Sequence, residues 1–209
     1  MTEELAALSQ AAVGGKIALP APRLTGPMSL EEALYRRRSI RQFSTGPLTL
    51  TEMAQLLWSA YGVTSPRGLR TAPSAGARYP LEVYLACAEG LFHYLPAEHA
   101  LVKVRNEDVR PALTEAAHGQ AFITQAPVCI LFAAVYERTT SRYRERGIRY
   151  VHMDIGHAGQ NVQLQAEALG LSSVAVGAFD DAAMAAAAQL PAEEEPRYLI
   201  PVGRIGNRE

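Results

Sequence analysis

Apolar residues along this chain fall into two regimes, stretches with a helical spacing of three to four and short runs that are nearly all apolar. The longest helical stretch is 147–169, where Val151, Ile155, Ala158, Val162, Ala166 and Leu169 form one stripe and Gly170 marks the stop. A second stripe on the same helix is polar: Asp154, His157, Asn161 and Gln165. Gly156, Ala158 and Gly159 are small enough to let this helix pack closely against another, such as its own symmetry mate. His157 reads as a satisfied structural histidine rather than a catalytic one. Two shorter helices are announced by their caps. Ser29 with Glu32 opens one whose apolar side is Leu30, Ala33 and Leu34. Thr49 with Glu52 opens another, with Met53, Leu56, Leu57, Ala60 and Tyr61 on one face, Trp58 packing on the core, and Gly62 at its end.

Strand patterns follow over Leu81–Ala88, Gly90–Leu95 and Ala100–Arg105, and Ala126–Tyr136 is the near-continuous apolar run of a central strand. Asn106 is placed to cap a helix over Glu107–His118. The last unit reads as a strand over Ser172–Phe179, an Ala-rich helix over Asp181–Leu190 and a closing strand over Tyr198–Val202 before Gly203 and Arg204. Residues 1–27, with a short helix, Gly14-Gly15 and Pro20-Ala21-Pro22, read as an N-terminal arm over the surface, and 28–209 as one domain without repeats. This order predicts an α+β fold, a mostly antiparallel sheet with helices against it.

Composition narrows the partners. At 209 residues and 48% hydrophobic content the chain can bury one substantial core, alone or as a protomer of an obligate dimer. A net charge of −1 gives no global field for nucleic acid or an anionic membrane, so recognition must be local. Cys87 and Cys129 each sit inside an apolar run, which fits buried thiols in a reducing compartment better than a disulfide. No metal-ligand cluster stands out, no segment reaches the ~20 apolar residues of a membrane span, and the first residues lack a secretory pattern, so a cytoplasmic protein is expected.

Candidate chemistry concentrates at Tyr35–Phe43, where Arg36, Arg37, Arg38 and Arg41 flank Ser39 and Ile40. Forked guanidinium donors of this density suit a phosphate, and a solvated basic face is the other reading. In the loop Thr71–Pro80, small residues let the backbone approach a flat surface and Ser74 offers a hydroxyl; an ordinary turn-rich loop is the alternative.

The stretches Arg37–Phe43, Ala72–Ala77, Gln165–Leu171 and Val174–Phe179, in this order, resemble the nitroreductase-like flavin oxidoreductases. Pro73–Glu82 and Arg149–Asn161 are similar to the SagB-type branch, whose better-known members oxidise azoline rings in modified peptides. The resemblance implies a three-layer fold in an intertwined homodimer with flavin mononucleotide (FMN) at the interface. By that resemblance Arg37 and Arg41 hold the phosphate, and Arg38 and Ser39 reach the ribityl chain or the pyrimidine edge. Pro73, Ser74, Ala75 and Gly76 reach the flavin bound mainly by the other subunit. Ala175, Val176 and Gly177 lie along the isoalloxazine near N5, Gln120 meets the pyrimidine, and Arg204 is a second phosphate ligand. It further implies ping-pong hydride transfer through N5, from transient NAD(P)H to a small-molecule substrate.

Two departures stand out. The Lys-Tyr pair of the azoline dehydrogenases is replaced by Arg142-Tyr143, which leaves Tyr143 as the acid–base candidate because arginine stays protonated. Gly177 stands where many nitroreductases carry an acidic residue. Two further classes stay open: a dehydrogenase of a small molecule or peptide that passes electrons to oxygen, and a flavin-binding module without turnover.

Overall fold

Every strand pair in the sheet is antiparallel. The computed structural model describes residues 3–206. Its strands are β1 (Lys16–Ala18), β2 (Phe43–Ser44), β3 (Leu81–Cys87), β4 (Gly90–Leu95), β5 (Ala100–Arg105), β6 (Val128–Ala134), β7 (Leu171–Ser173) and β8 (Glu195–Ile205). They run in the order β1-β5-β4-β3-β6-β8-β2, with β7 also on β8. The helices are α1 (Glu3–Gln10), α2 (Leu30–Arg36), α3 (Leu50–Tyr61), α4 (Arg110–Ala116), α5 (Phe122–Gln125), α6 (Glu137–Tyr143), α7 (Arg146–Ala168) and α8 (Asp181–Ala188).

The apolar runs of β3 and β6 make sense as two-faced strands. Val128, Ile130, Phe132 and Ala134 point into one buried cluster with Leu57 of α3 and Val151 and Val162 of α7. Cys129, Leu131 and Ala133 point into another with Leu113 of α4, Ile123 of α5 and Met184 of α8. Side chains alternate across a strand, so a strand covered by helices on both faces has no polar side to show. The result is three layers, with α3 and α7 on one face and α4, α5 and α8 on the other. Cys87 and Cys129 are buried free thiols in this core, and burial pushes the Cys129 thiol up to about 12. Among the described residues no helix is long and apolar enough to cross a membrane, and no cluster of His, Cys, Asp and Glu is arranged to hold a metal.

Both predicted capping residues cap their helices, one with the full box and one with half of it. The Thr49 side chain accepts from the Glu52 amide while Glu52 accepts from the Thr49 amide at 2.7 Å, a reciprocal box. Ser29 supplies only its own half, accepting from Glu32 at 3.1 Å, because the Glu32 carboxylate pairs with Arg36 instead. Residues of the predicted arm add α1 and β1 to the sheet edge. Leu8 is wholly buried, and the buried Lys103 ammonium donates to its carbonyl at 2.9 Å.

Several expectations need correction. The helix placed over Glu107–His118 begins only at Arg110, with Val109 and not Asn106 at its cap position. Asp108 draws Arg110 into a paired contact at 2.7 Å just ahead of it, and this local ion pair displaces the cap. The strand placed over Ser172–Phe179 ends at Ser173, and only a single bridge, Val176 to Leu199, continues it before the chain leaves the sheet at Gly177. On α2 only Ala33 is buried, while Leu30 and Leu34 are 61% and 54% exposed, since the helix touches α7 along one narrow ridge. His157 is exposed on α7 rather than packed.

At the start of β3, Glu82 accepts from His93 at 2.7 Å and pairs with Arg138. Burial alone would raise the Glu82 carboxyl, but the His93 and Arg138 contacts outweigh it and hold it below its ordinary 4.5. A depressed carboxyl stabilises the fold above its unfolded value and loses that contribution as pH falls through the folded one. Glu82→Gln should therefore lower unfolding free energy by about 1–3 kcal/mol at pH 7. In urea titrations the gap to the parent protein should close as pH falls below ~4, and a gap of constant size across that range would exclude an ionic origin.

Candidate functional site

Two polar clusters are positioned from α7. The first begins where α2 ends. Arg37 caps that helix, its amide donating to the Ala33 carbonyl at 3.0 Å, and the next residues are stitched to β7. Ser39 bridges Ser173, and the Ile40 amide donates to Ser173 at 3.0 Å. Arg36 is paired with Glu32 at 2.8 Å. Arg37 reaches Gln163 of α7 at 3.5 Å, Arg38 donates to the carbonyls of Tyr35 and Arg37 at 2.9 and 2.8 Å, and Arg41 lies 5.8 Å from the Phe122 ring centre. Among the described residues none of Arg37, Arg38 and Arg41 meets a carboxylate. Three guanidinium groups with no counter-ion on one short turn repel each other, an arrangement that an anion would relieve.

Beside this turn runs the segment after β7. Val176 exchanges backbone bonds with Leu199 at 2.8 and 3.0 Å, after which Gly177 and Ala178 lie exposed. Gln120 donates to the carbonyls of Ala117 and Ala178 at 3.0 and 3.1 Å, tying that segment to the turn before Phe122. Arg37, Arg38, Ser39, Arg41, Gln120 and Ala175–Gly177 thus form one neighbourhood. Arg204 is engaged elsewhere. Its two terminal nitrogens grip the two Glu52 oxygens at 2.7 and 2.8 Å, and this carboxylate already caps α3.

The second cluster is the loop Pro73–Gly76. The Tyr79 amide donates to Ser74 at 2.9 Å, and Gly76 takes a left-handed conformation with φ of 60°. A Cβ on Gly76 would lie 2.5 Å from the Tyr143 hydroxyl and 3.3 Å from Arg142, so Tyr143 rests directly on this loop. Its ring meets Tyr150 edge-on at 5.2 Å. Asp154 of α7 lies beneath, 3% exposed, with Oδ2 lacking any hydrogen-bond partner among the described residues. Burial raises its carboxyl above the usual range, with Ser74, His157 and the Ala75 amide opposing. Asp154 and Gln163 are nine residues apart on α7, roughly 13 Å along a helix axis. The two clusters are therefore separate stations on one helix rather than a single ring around a ligand.

A family model described as the nitroreductase family matches residues 34–204. The chain belongs to that family. It is 46% identical over 183 residues to MJ1384 of Methanocaldococcus jannaschii, a protein assigned by name to the nitroreductases, covering 85% of this chain and 91% of that one. The microcin B17-processing protein McbC of Escherichia coli is 27% identical over 150 residues, which is 66% of this chain but only 55% of McbC. A Ralstonia eutropha crystal structure solved under the nitroreductase name superposes with a TM-score of 0.84 at 32% identity, over 92% of this chain and 90% of that one. The chain is a nitroreductase-family oxidoreductase with SagB-type relatives.

Sequence reasoning missed two hollows. One, about 690 Å³, lies between residues 23–30 and α7 and is lined by Trp58, which was expected to pack on the core and is only half-buried. In it Gln55 pairs with the Arg23 backbone at 2.8 and 3.0 Å and donates to Gln165 at 3.0 Å. The other, about 580 Å³, joins Gly177 to Tyr136, His152 and Arg197. No periodic or motif signal marks either, because their walls come from segments far apart in the chain.

The Gly76–Tyr143 contact generates a test. Gly76→Ala should cost about 1–2 kcal/mol from the left-handed conformation alone, plus the displacement of Tyr143. In the Tyr143→Phe background the steric part should shrink while the conformational part persists, so thermal denaturation of the double-mutant cycle should show non-additivity. Strict additivity would separate Tyr143 from the loop.

Proposed function

We propose that this chain is an FMN-dependent oxidoreductase that works as a homodimer. The observation that carries the reading is the turn Arg37–Arg41, whose three guanidinium groups lack any carboxylate partner among the described residues and stand on the same side as the exposed Gly177–Ala178 segment. A phosphate on Arg37 and Arg41 would neutralise the turn, with Arg38 and Ser39 free for the ribityl chain or the pyrimidine edge. Gln120 sits close enough to that segment to serve the pyrimidine as well. Ala175, Val176 and Gly177 present backbone and small side chains, which suits a flat ring laid against them; a Cβ on Gly177 would have its nearest neighbour, Tyr198, 4.0 Å away. When bound, FMN supplies hydride chemistry at N5, alternating between a donor such as NAD(P)H and a small-molecule acceptor.

Pro73, Ser74, Ala75 and Gly76 sit at the other station of α7, which suits their serving a flavin held mainly by a second copy. Exposed apolar side chains on α2 and α7 support that pairing, with Leu30 at 61%, Tyr35 at 80% and Met153 at 51% exposure. Tyr143, held on the same loop, is the group that would move a proton; Arg142 beside it stays protonated and orients charge instead. Arg204, saturated by Glu52, could take up a phosphate only by sharing that contact. The peptide processing in McbC's name is not carried over, because the position read as the proton-removing lysine of the azoline dehydrogenases is Arg142 here.

The purified protein should be yellow, with flavin absorbance at about one FMN per chain, and should sediment as a dimer. Arg37→Ala and Arg41→Ala should each weaken FMN binding about 10–100-fold, as expected for loss of a charge-assisted bond. Fluorescence titration of the apoprotein measures this. A colourless monomer that takes up no added FMN would end the reading.

A further inference from the structure

The loop from Ser74 to Tyr79 is strained, and something must hold it. Gly76, Ala77 and Tyr79 all take left-handed backbone, with φ of 60°, 51° and 49°, and two of the three carry a Cβ that this conformation crowds. Backbone of this kind persists only where its surroundings fix it. The far end of the loop is visibly fixed. The Tyr79 amide donates to Ser74 at 2.9 Å, the Tyr79 hydroxyl accepts from the Arg70 amide at 3.2 Å, and Arg78 Nε donates to the Arg138 carbonyl at 2.6 Å. At the near end, the Ala77 amide closes the turn on the Ser74 carbonyl at 3.0 Å, and the side chain beneath is Asp154.

Asp154 is a costly residue for the fold to keep. It is 3% exposed, and Oδ2 has no hydrogen-bond partner among the described residues. The other buried side-chain atoms in that position, on Thr139 and Ser172, are hydroxyls. Burying a carboxylate without a cationic partner costs far more than burying a hydroxyl. The groups that favour its charged form are Ser74, the Ala75 amide and, by charge alone, His157 of the same helix. The Ser74 oxygen already accepts from Tyr79, so its own hydrogen is left to point at Asp154. Apart from His157, everything that favours this carboxylate belongs to one short loop.

We infer that Asp154 is a positioning residue: by accepting from the Ser74 hydroxyl and the Ala75 amide it sets the turn Ser74–Gly76, and through Gly76 it sets where the Tyr143 hydroxyl stands. The contact that transmits this is close, since a Cβ on Gly76 would lie 2.5 Å from that hydroxyl. Tyr150, four residues before Asp154 on the same face of α7, meets the Tyr143 ring edge-on at 5.2 Å. Helix α7 thus holds Tyr143 twice, directly through Tyr150 and indirectly through the loop. The inference rests on the flavin reading for its functional meaning, and deepens it by naming the group that pre-organises the second station.

The chain grown with 3-fluorotyrosine carries nine labels, and the fluorine NMR line lost in Tyr143→Phe reports on Tyr143. Asp154→Ala removes the acceptor and should move or broaden that line while most others stay in place. Thermal unfolding of the same apoprotein should have a midpoint no lower than the parent's, because a buried carboxylate without a cation has gone. Asp154→Asn keeps one accepting oxygen and should return the line toward its parent position. Ser74→Ala removes the same contact from the loop side and should move the same line, which also gives the answer if Asp154→Ala does not fold. Fluorescence titration should show FMN bound about tenfold more weakly by Asp154→Ala, the equivalent of one hydrogen bond, and less weakened in Asp154→Asn. A Tyr143 line that neither Asp154→Ala nor Ser74→Ala moves, or that Asp154→Asn moves as far as Asp154→Ala, overturns the inference. So does a lowered unfolding midpoint with shifts across all the tyrosine lines, the mark of a purely structural residue. A parent protein that takes up no FMN, but whose Tyr143 line moves in Asp154→Ala, would sink the flavin reading and leave Asp154 in this role; FMN bound with an unmoved line would do the reverse.

Discussion

The contact between α7 and the sheet fixes where every polar group discussed here can stand. Val151, Ile155, Ala158, Val162 and Ala166 are buried along its inner stripe, and at Gly159 a Cβ would come within 2.8 Å of the Tyr198 ring. A helix seated this tightly has one rotational setting, because any roll drives side chains into β8. That setting puts Asp154 under the Ser74 loop, Gln163 against Arg37, Asn161 3.4 Å from the Thr71 carbonyl and His152 at Tyr136. Four residues on different sides of one cylinder thereby organise three separate regions.

Charge is distributed on the same frame with a clear asymmetry. Arg36, Arg110, Arg138, Arg197 and Arg204 each have a carboxylate partner, and most of these pairs tie neighbouring elements together at the surface. The more exposed of these, such as Arg36–Glu32, hold geometry more than they add stability, since exposed ion pairs contribute little. The turn Arg37–Arg41 departs from this arrangement, and it does so next to Gly177 and Ala178, where the backbone is open. Arginines without a carboxylate also stand elsewhere, Arg70 over the Tyr61 and Tyr79 rings and Arg78 on the Arg138 carbonyl among them, so what sets these three apart is their closeness on one turn beside open backbone.

Much of this was legible in the chain itself, for identifiable reasons. The Thr49–Glu52 box, the α7 stripe and the two-faced β6 each express a single period or a pair of residues three apart, and local rules decide them. The Arg37–Arg41 and Pro73–Gly76 stretches could be singled out because they are compact in sequence. What could not be seen depends on distant partners. Residues 174–179 look like a strand, yet β8 offers them only one bridge before its bulge at Arg197. Helix α6, Glu137–Tyr143, is too polar to show a stripe. The hydrogen bonds of Tyr136 to His152 and Arg197 join residues up to 61 positions apart, and the preference of Arg204 for Glu52 spans 152.

That last pair links two parts of the molecule that a diagram would draw separately. Glu52 satisfies the first amides of α3 while both its oxygens are held by Arg204, near the end of the final strand. Peeling β8 from its end would thus release the start of a core helix at the same moment, since among the described residues Arg204 pairs with no second carboxylate. Fraying at the two places is one cooperative event, and amide hydrogens at the α3 N-terminus and at the tip of β8 exchange with solvent through a common opening.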